Sequence, residues 1–264
     1  MTFQLNAMDE NGVKSYMKKY IETKLKSPVK KIDVISSYSL DKLPGWEIYF
    51  LAMKVKVKMG NDYREAIVPQ TVFTKGDKIT LKLMSRKGED YAKLLKPKVP
   101  NRAYDDAHFI LGSKDAPHKI LVFSDPFCYF CQEKIPEIIN LVKANPRTYG
   151  LYYYHLPLLN IHPAADVTTK AMHIFQKRGE IDKMFALYDL FIEPTETNTH
   201  KILKAIKDKT GVMLSKAEIE NEEIKDALRT DMAMKRKLMV TGTPTIFFDG
   251  KWDKSRKAYK QYAQ

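Results

Sequence analysis

The chain reads as an α/β domain preceded by a smaller α+β domain, and three stretches of sequence lead to that reading. Residues 119–123 are an apolar burst suited to a buried strand, Ser124, Asp125 and Pro126 supply turn chemistry, and helical patterning begins at Cys128. Far downstream, residues 240–250 (Val-Thr-Gly-Thr-Pro-Thr-Ile-Phe-Phe-Asp-Gly) read as a turn, a short apolar strand and a second turn. Near the start, Met53, Val55, Val57 and Met59 alternate with Lys54, Lys56 and Lys58, the period of a strand with one wet face.

In chain order, Val13, Tyr16, Met17, Tyr20, Ile21 and Leu25 fall on one helical face, so residues 9–26 are expected to form an amphipathic helix. A β-meander follows: the alternating segment, a turn at Gly60, Asn61 and Asp62, a strand over residues 63–74, a turn at Lys75, Gly76 and Asp77, and a strand over residues 78–84. One helix on such a sheet makes a thin core, which a second copy of the chain would thicken. The first domain is therefore assigned to residues 1–85. Residues 86–103 are a linker, with a helical segment at residues 89–96 closed by Pro97 and Pro100. The second domain spans residues 104–264, interrupted over about residues 164–239 by a helical insertion. Helical spacing there is carried by Ala171, Ile174 and Phe175, by Met184, Leu187, Tyr188 and Phe191, and by Ile202, Leu203 and Ile206, with breaks at Gly179, Pro194 and Gly211. A length of 264 residues with 44% hydrophobic and 11% aromatic content suits two such domains.

Both cysteines of the chain lie in the run Cys128-Tyr129-Phe130-Cys131, one helical turn apart. A strand-turn-helix places Cys128 at a helix N-terminus, where unpaired N–H groups favour thiolate over thiol. Cys131, one turn further in, is expected to be more buried and less ionised. That division suits disulfide exchange, in which an exposed thiolate attacks and a second thiol resolves the mixed disulfide. A zinc site would need two more ligands, to be found among carboxylates and six scattered histidines, His108, His118, His155, His162, His173 and His200. A purely structural disulfide closing so short a loop would constrain the unfolded chain little. Tyr129 and Phe130 are read as an apolar docking surface beside the thiol. His155, His162 and Asp125 are read as structural, Asp125 as a turn or cap residue, and Tyr152-Tyr153-Tyr154 as a core strand with alternate faces buried.

The formal net charge is +13, yet the lysines are spread along strands and solvated helix faces, with only short clusters such as Lys235-Arg236-Lys237. No nucleic-acid motif accompanies them, so nucleic acid is not expected as a partner. No segment has the length and apolarity of a membrane span. Met1 to Asn6 lack the basic start and apolar run of a signal peptide, leaving a cytoplasmic chain or a mature form from which an export signal has been removed.

Two features beyond the cysteine motif complete a pattern: Pro136, five residues after Cys131 within a helical stretch and expected to kink it, and Thr243-Pro244 ahead of the late apolar strand. Together they resemble the thioredoxin fold, and residues 111–128 (Leu-Gly-Ser-Lys-Asp-Ala-Pro-His-Lys-Ile-Leu-Val-Phe-Ser-Asp-Pro-Phe-Cys) are most similar to the bacterial periplasmic DsbC/DsbG family. The resemblance implies an N-terminal dimerisation domain, a linker helix and a thioredoxin-like catalytic domain, with the Thr243-Pro244 bond cis and facing the cysteines. It implies a thiol:disulfide isomerase or reductase acting on folding or misoxidised proteins, with Cys128 as nucleophile and Cys131 as resolving thiol. Thr243 and Pro244 would border the substrate backbone, and the Thr243 hydroxyl would hydrogen-bond the Cys128 thiolate. A homodimer in the periplasm is implied, reset by a membrane redox partner, with no cofactor or metal beyond the Cys128–Cys131 redox pair. Thioredoxin and the DsbA oxidases carry a buried acid six positions before the first cysteine; here that position is Val122, as in DsbC and DsbG. Tyr129-Phe130 departs from the dipeptides of those two relatives, which leaves a dithiol oxidase as the alternative reading, and a folding chaperone as a further one.

Overall fold

The computed structural model describes residues 8–24, 26–59 and 62–263. The chain divides into two compact units, Met1–Lys98 and Val99–Gln264, a division that falls inside the segment assigned to the linker.

In the first unit, helix α1 (Glu10–Lys24) is followed by strands β1 (Val29–Ser39), β2 (Glu47–Met59), β3 (Asp62–Lys75) and β4 (Lys78–Thr80) in an antiparallel sheet of order β1-β2-β3-β4. Val13, Met17 and Ile21 of α1 pack on Tyr49, Leu51, Met53, Val55 and Val72, the apolar face expected from the sequence, whereas Tyr16 stays partly exposed. Leu25, Gly60 and Asn61, named in the sequence reading, lie outside the described residues. The expected strand over residues 78–84 is only three residues long, and Met84 instead makes an isolated bridge to Asp90. Helix α2 (Tyr91–Leu94) is one turn, started by the Asp90 side chain accepting the Ala92 N–H, and is shorter than residues 89–96.

The second unit is built on a five-stranded sheet from β5 (Phe109–Gly112), β6 (His118–Ser124), β7 (Tyr149–His155), β8 (Thr245–Phe248) and β9 (Lys251–Trp252), in the order β5-β7-β6-β8-β9. Strands β6 and β7 run parallel, joined by helix α3 (Tyr129–Ala144), and the other pairings are antiparallel. Pro136 lies inside α3, which continues past it. Period-two alternation sends Ile120, Val122, Leu151, Tyr153 and Ile246 into one core with Cys131, Ile135 and Ile138 of α3. Leu121, Phe123, Tyr152, Tyr154 and Phe247 enter a second core, closed by Met234, Leu238 and Val240. Each face of the sheet is thus covered, and the three consecutive tyrosines are buried throughout, Tyr153 toward one core and Tyr152 and Tyr154 toward the other.

Between β7 and β8 run α4 (Ala165–Lys177), α5 (Ile181–Ala186), a 3-10 turn (Leu187–Asp189), α6 (Thr199–Thr210), α7 (Lys216–Ile219) and α8 (Glu222–Lys237). This is the predicted helical insertion. Its apolar stripes, including Ala171, Phe175, Met184, Leu187, Ile202 and Ile206, join the core under α3.

One backbone contact constrains the outer edge of the sheet. Gly112 has φ +88°, and a Cβ there would lie 2.0 Å from the Tyr149 carbonyl oxygen and 3.0 Å from Val142. Gly112→Ala should lower unfolding stability by about 2–4 kcal/mol through backbone strain and overlap. Chemical denaturation checks this, and an unchanged midpoint would refute the contact.

Candidate active site at the paired cysteines

Strand β6 ends at Ser124, and the turn that follows is fixed by Asp125, whose Oδ1 accepts the Phe127 N–H at 2.7 Å. The Asp125 carbonyl accepts the Cys128 N–H at 3.2 Å, and the Cys128 carbonyl then accepts Cys131 N–H at 2.8 Å and Gln132 N–H at 3.0 Å, starting α3. Cys128 is the N-cap residue, but its side chain makes no capping bond, so its sulfur remains available at the helix terminus. The two cysteines are not joined by a disulfide here; Cys128 keeps 9% of its surface exposed and Cys131 none.

Their electrostatics diverge. The Cys131 side chain, as hydrogen-bond partner, lowers the Cys128 pKa to about 5 against the opposing effect of burial, aided by the Thr243 side chain and the backbone N–H groups of Cys131 and Phe130. Burial pushes the Cys131 thiol far above its ordinary value, and the neighbouring Cys128 raises it further. The pair therefore holds one thiolate at neutral pH, on the sulfur that has some access to solvent.

Thr243 and Pro244 reach the site by the turn before β8, and the bond between them is cis. The Cys128 S–H donates to the Thr243 carbonyl at 3.4 Å. While Cys128 is protonated, the Thr243 hydroxyl is buried without a hydrogen-bond partner and the carbonyl takes the S–H instead; the side-chain bond that lowers the Cys128 pKa belongs to the thiolate. A thiolate has no proton to give the carbonyl, so ionisation of Cys128 makes the adjacent hydroxyl the useful group. Tyr129 and Phe130 are 73% and 57% exposed, with their rings edge to face at 5.5 Å, and the Arg256 guanidinium lies 5.9 Å from the Phe130 ring centre. They stand at the start of α3 beside Cys128 and offer apolar surface.

Asp125 does more than close a turn. Its fully buried carboxylate also accepts the Leu158 N–H at 2.6 Å and meets His162 Nδ1 at 3.2 Å, tying the segment after β7 to the cysteine turn. Val122 is fully buried in the core that contains Cys131. The hydroxyls of Ser124, Tyr153 and Tyr188 lie near Cys131, and sequence reasoning missed them as site residues: the spacing of Tyr188 marks it only as core, and nothing local links it to Ser124.

Three of the histidines, His108, His155 and His173, gather elsewhere in this unit. His155, His173 and Asp231 are buried, with metal-ligand-type atoms within 4.8 Å of one another. The Asp231 carboxylate is already occupied, accepting from His108 Nε2 at 2.8 Å and the His155 N–H at 2.8 Å, with His173 Nε2 at 3.3 Å. Against its own burial, the bonds from His108 and His173 hold Asp231 down to about 2, while burial pushes His155 down to about 3. The cluster is accounted for as a compensated buried carboxylate.

A lowered thiol pKa makes stability depend on pH. Between about 5 and the ordinary cysteine range of about 8.5, the unfolded chain binds a proton at Cys128 that the folded dithiol protein does not. The reduced form should therefore gain stability relative to the oxidised form as pH rises through this window, and lose it as pH falls through about 5. Thiolate absorbance and the difference in melting temperature between the two forms, followed from pH 4 to 9, check this. A Cys128 midpoint in the ordinary cysteine range would refute the site's electrostatics.

With this geometry described, comparison with known proteins is consistent across levels. Over 152 residues the chain is 25% identical to the probable disulfide bond formation protein D of Bacillus anthracis, covering 53% of this chain and 69% of that protein. The crystal structure of oxidised BdbD from Bacillus subtilis superimposes with a TM-score of 0.51 at 14% identity, over 63% of this chain and 92% of that one, a likeness of fold. The family profile described as Thioredoxin matches residues 105–264, a stretch that contains the cysteine turn, the insertion and the cis-proline, and the chain accordingly belongs to the thioredoxin family.

Proposed function

We propose that this chain is a thiol:disulfide oxidoreductase that works as a dithiol oxidase on folding proteins. The observation that carries the reading is the split between the cysteines, with Cys128 drawn down to about 5 and Cys131 buried and held protonated. Stabilising one thiolate favours the reduced form of the pair, and a pair whose reduced form is stabilised is an oxidant. The name of the Bacillus anthracis relative, a probable disulfide bond formation protein, points in the same direction.

In the forward step a substrate thiolate attacks Cys128 Sγ. The Cys128–Cys131 bond breaks, its electron pair leaves on Cys131, and a mixed disulfide forms between Cys128 and substrate. A second substrate thiolate attacks the substrate sulfur of that bond and expels Cys128 as a thiolate, while Cys131 takes up a proton. The substrate loses two electrons and gains a disulfide; the protein is left as one thiol and one thiolate. A membrane redox partner carrying a disulfide takes these electrons back and closes the cycle, so no separate cofactor is needed. Tyr129 and Phe130 give unfolded substrate an apolar surface, and Thr243 and Pro244 border its backbone. The periplasm suits this chemistry because disulfides persist there. Among the described residues no helix is long and apolar enough to cross a membrane.

The isomerase or reductase reading draws on the first unit, where Val57, Tyr63, Ile67 and Val68 expose apolar surface on the sheet that a second copy would cover in a homodimer. Stoichiometric oxidation of a reduced, unfolded protein separates the two readings. The oxidised chain should introduce disulfides into it within minutes and leave with Cys128 and Cys131 as thiols. Failure to oxidise it, with rearrangement of mispaired disulfides instead, would overturn the oxidase reading. Cys131→Ser should accumulate Cys128-linked mixed disulfides with substrate proteins, visible on non-reducing gels, because the resolving sulfur is gone.

A further inference from the structure

We propose that Tyr153, Tyr188 and Ser124 form a one-directional chain of hydroxyl donors ending on Cys131, which stabilises the thiolate that Cys131 becomes when the Cys128–Cys131 disulfide is attacked. The inference rests on the oxidoreductase reading and deepens it by naming what receives the developing charge. Cys131 has no exposed surface, so a thiolate leaving there finds no water. Val122, fully buried in the same core, has no group that can carry a proton. Asp125 offers the sulfur only its backbone N–H, since its carboxylate oxygens are taken by Phe127, Leu158 and His162.

The order of protons in the chain follows from counting them. The Tyr188 hydroxyl donates to Ser124 Oγ at 2.5 Å. A phenol has one proton, so in the hydrogen bond between Tyr153 and Tyr188 the donor must be Tyr153. Ser124 accepts from Tyr188 and keeps its own proton, with the Cys131 sulfur beside it. Both hydroxyl–hydroxyl bonds thus point from Tyr153 toward Ser124, leaving the Ser124 proton free for Cys131, and each donor polarises the next. Burial raises the pKa of Tyr153 and Tyr188 far above the ordinary tyrosine value, so both stay protonated and remain donors. The three residues come from three elements: Ser124 ends β6, Tyr153 lies on β7, and Tyr188 belongs to the 3-10 turn of the insertion. The insertion therefore contributes to the redox chemistry through a residue that the strands and α3 do not supply.

During attack on Cys128, the sulfur–sulfur electron pair passes to Cys131. Ser124 then donates to a sulfur with growing negative charge, and no proton need leave the chain. Ser124 is the hydroxyl that acts on Cys131 directly, while Tyr188 and Tyr153 are positioning residues that act through it. The test is the rate at which glutathione reduces the preformed Cys128–Cys131 disulfide, a step in which Cys131 is the leaving group. Ser124→Ala should slow it about tenfold and Tyr188→Phe by a smaller factor, the scale of one lost bond to a charged acceptor. Ser124→Thr, which keeps the hydroxyl, should restore the rate. Because the donor acts on the transition state, reduction by glutathione and its reversal should slow together, leaving the equilibrium with glutathione within about twofold. Wild-type rates in both Ser124→Ala and Tyr188→Phe would overturn the proposal, as would equal slowing in Ser124→Ala and Ser124→Thr. If Ser124→Ala does not fold, Tyr188→Phe, which removes a single oxygen, decides the matter. These rate ratios do not depend on the direction in which the chain works on proteins, so a wild-type protein that rearranges disulfides instead of forming them would overturn the oxidase reading and leave this comparison intact.

Discussion

The chemistry of this protein depends on where one sulfur sits. Cys128 caps α3 without using its side chain as the cap, so the N–H groups of the first helical turn and the Cys131 side chain are left to stabilise its charge. The surrounding structure can be read as the means of holding that arrangement. The apolar β6 strand ends at the right point, Asp125 sets the turn, and the two-sided burial of the sheet keeps the N-terminus of α3 in place. The cost of ionising a largely buried thiol is met locally by donors, while the complete burial of Cys131, without equivalent compensation, keeps it a thiol.

The parts of this architecture written in contiguous residues were legible in the sequence. Strand, turn and helix around Cys128 rest on local periodicity and turn chemistry, as do the late Thr243-Pro244 turn with its apolar strand and the amphipathic α1. Strand β1 went unread because Val29–Ser39 is an edge strand none of whose residues is fully buried, so selection for an apolar pattern is weak along it. The over-long β4 reading has a related cause, since residues beyond Thr80 look strand-like but find only an isolated bridge. The stretch of Tyr152 to Tyr154 was seen as a strand, but the burial of every residue in it follows from its place between two neighbours with a core on each face, a property of topology.

Site residues that depend on long-range contacts were illegible for the same reason. Asp125 looks like an ordinary turn residue until Leu158 and His162 arrive from beyond β7. Tyr188 lies 64 residues from Ser124, and only the folded insertion brings their hydroxyls together. The Thr243 carbonyl as acceptor of the Cys128 S–H was not legible either, because residue type cannot specify which oxygen of a threonine the backbone turn presents to a protonated sulfur. The resemblance to DsbC and DsbG came from layout and motifs shared across the fold. The direction of electron flow is set by the few groups around one sulfur, and the oxidase proposal rests on those groups rather than on the layout.

The most direct test of this account is the equilibrium reduction potential of the Cys128/Cys131 pair against glutathione at neutral pH. Stabilisation of the Cys128 thiolate predicts an oxidising couple, less negative than about −180 mV and approaching the value of about −120 mV found for strongly oxidising Dsb proteins. A potential near the thioredoxin value of about −270 mV would mean that the groups around Cys128 do not stabilise the reduced pair, and would contradict the account at its centre.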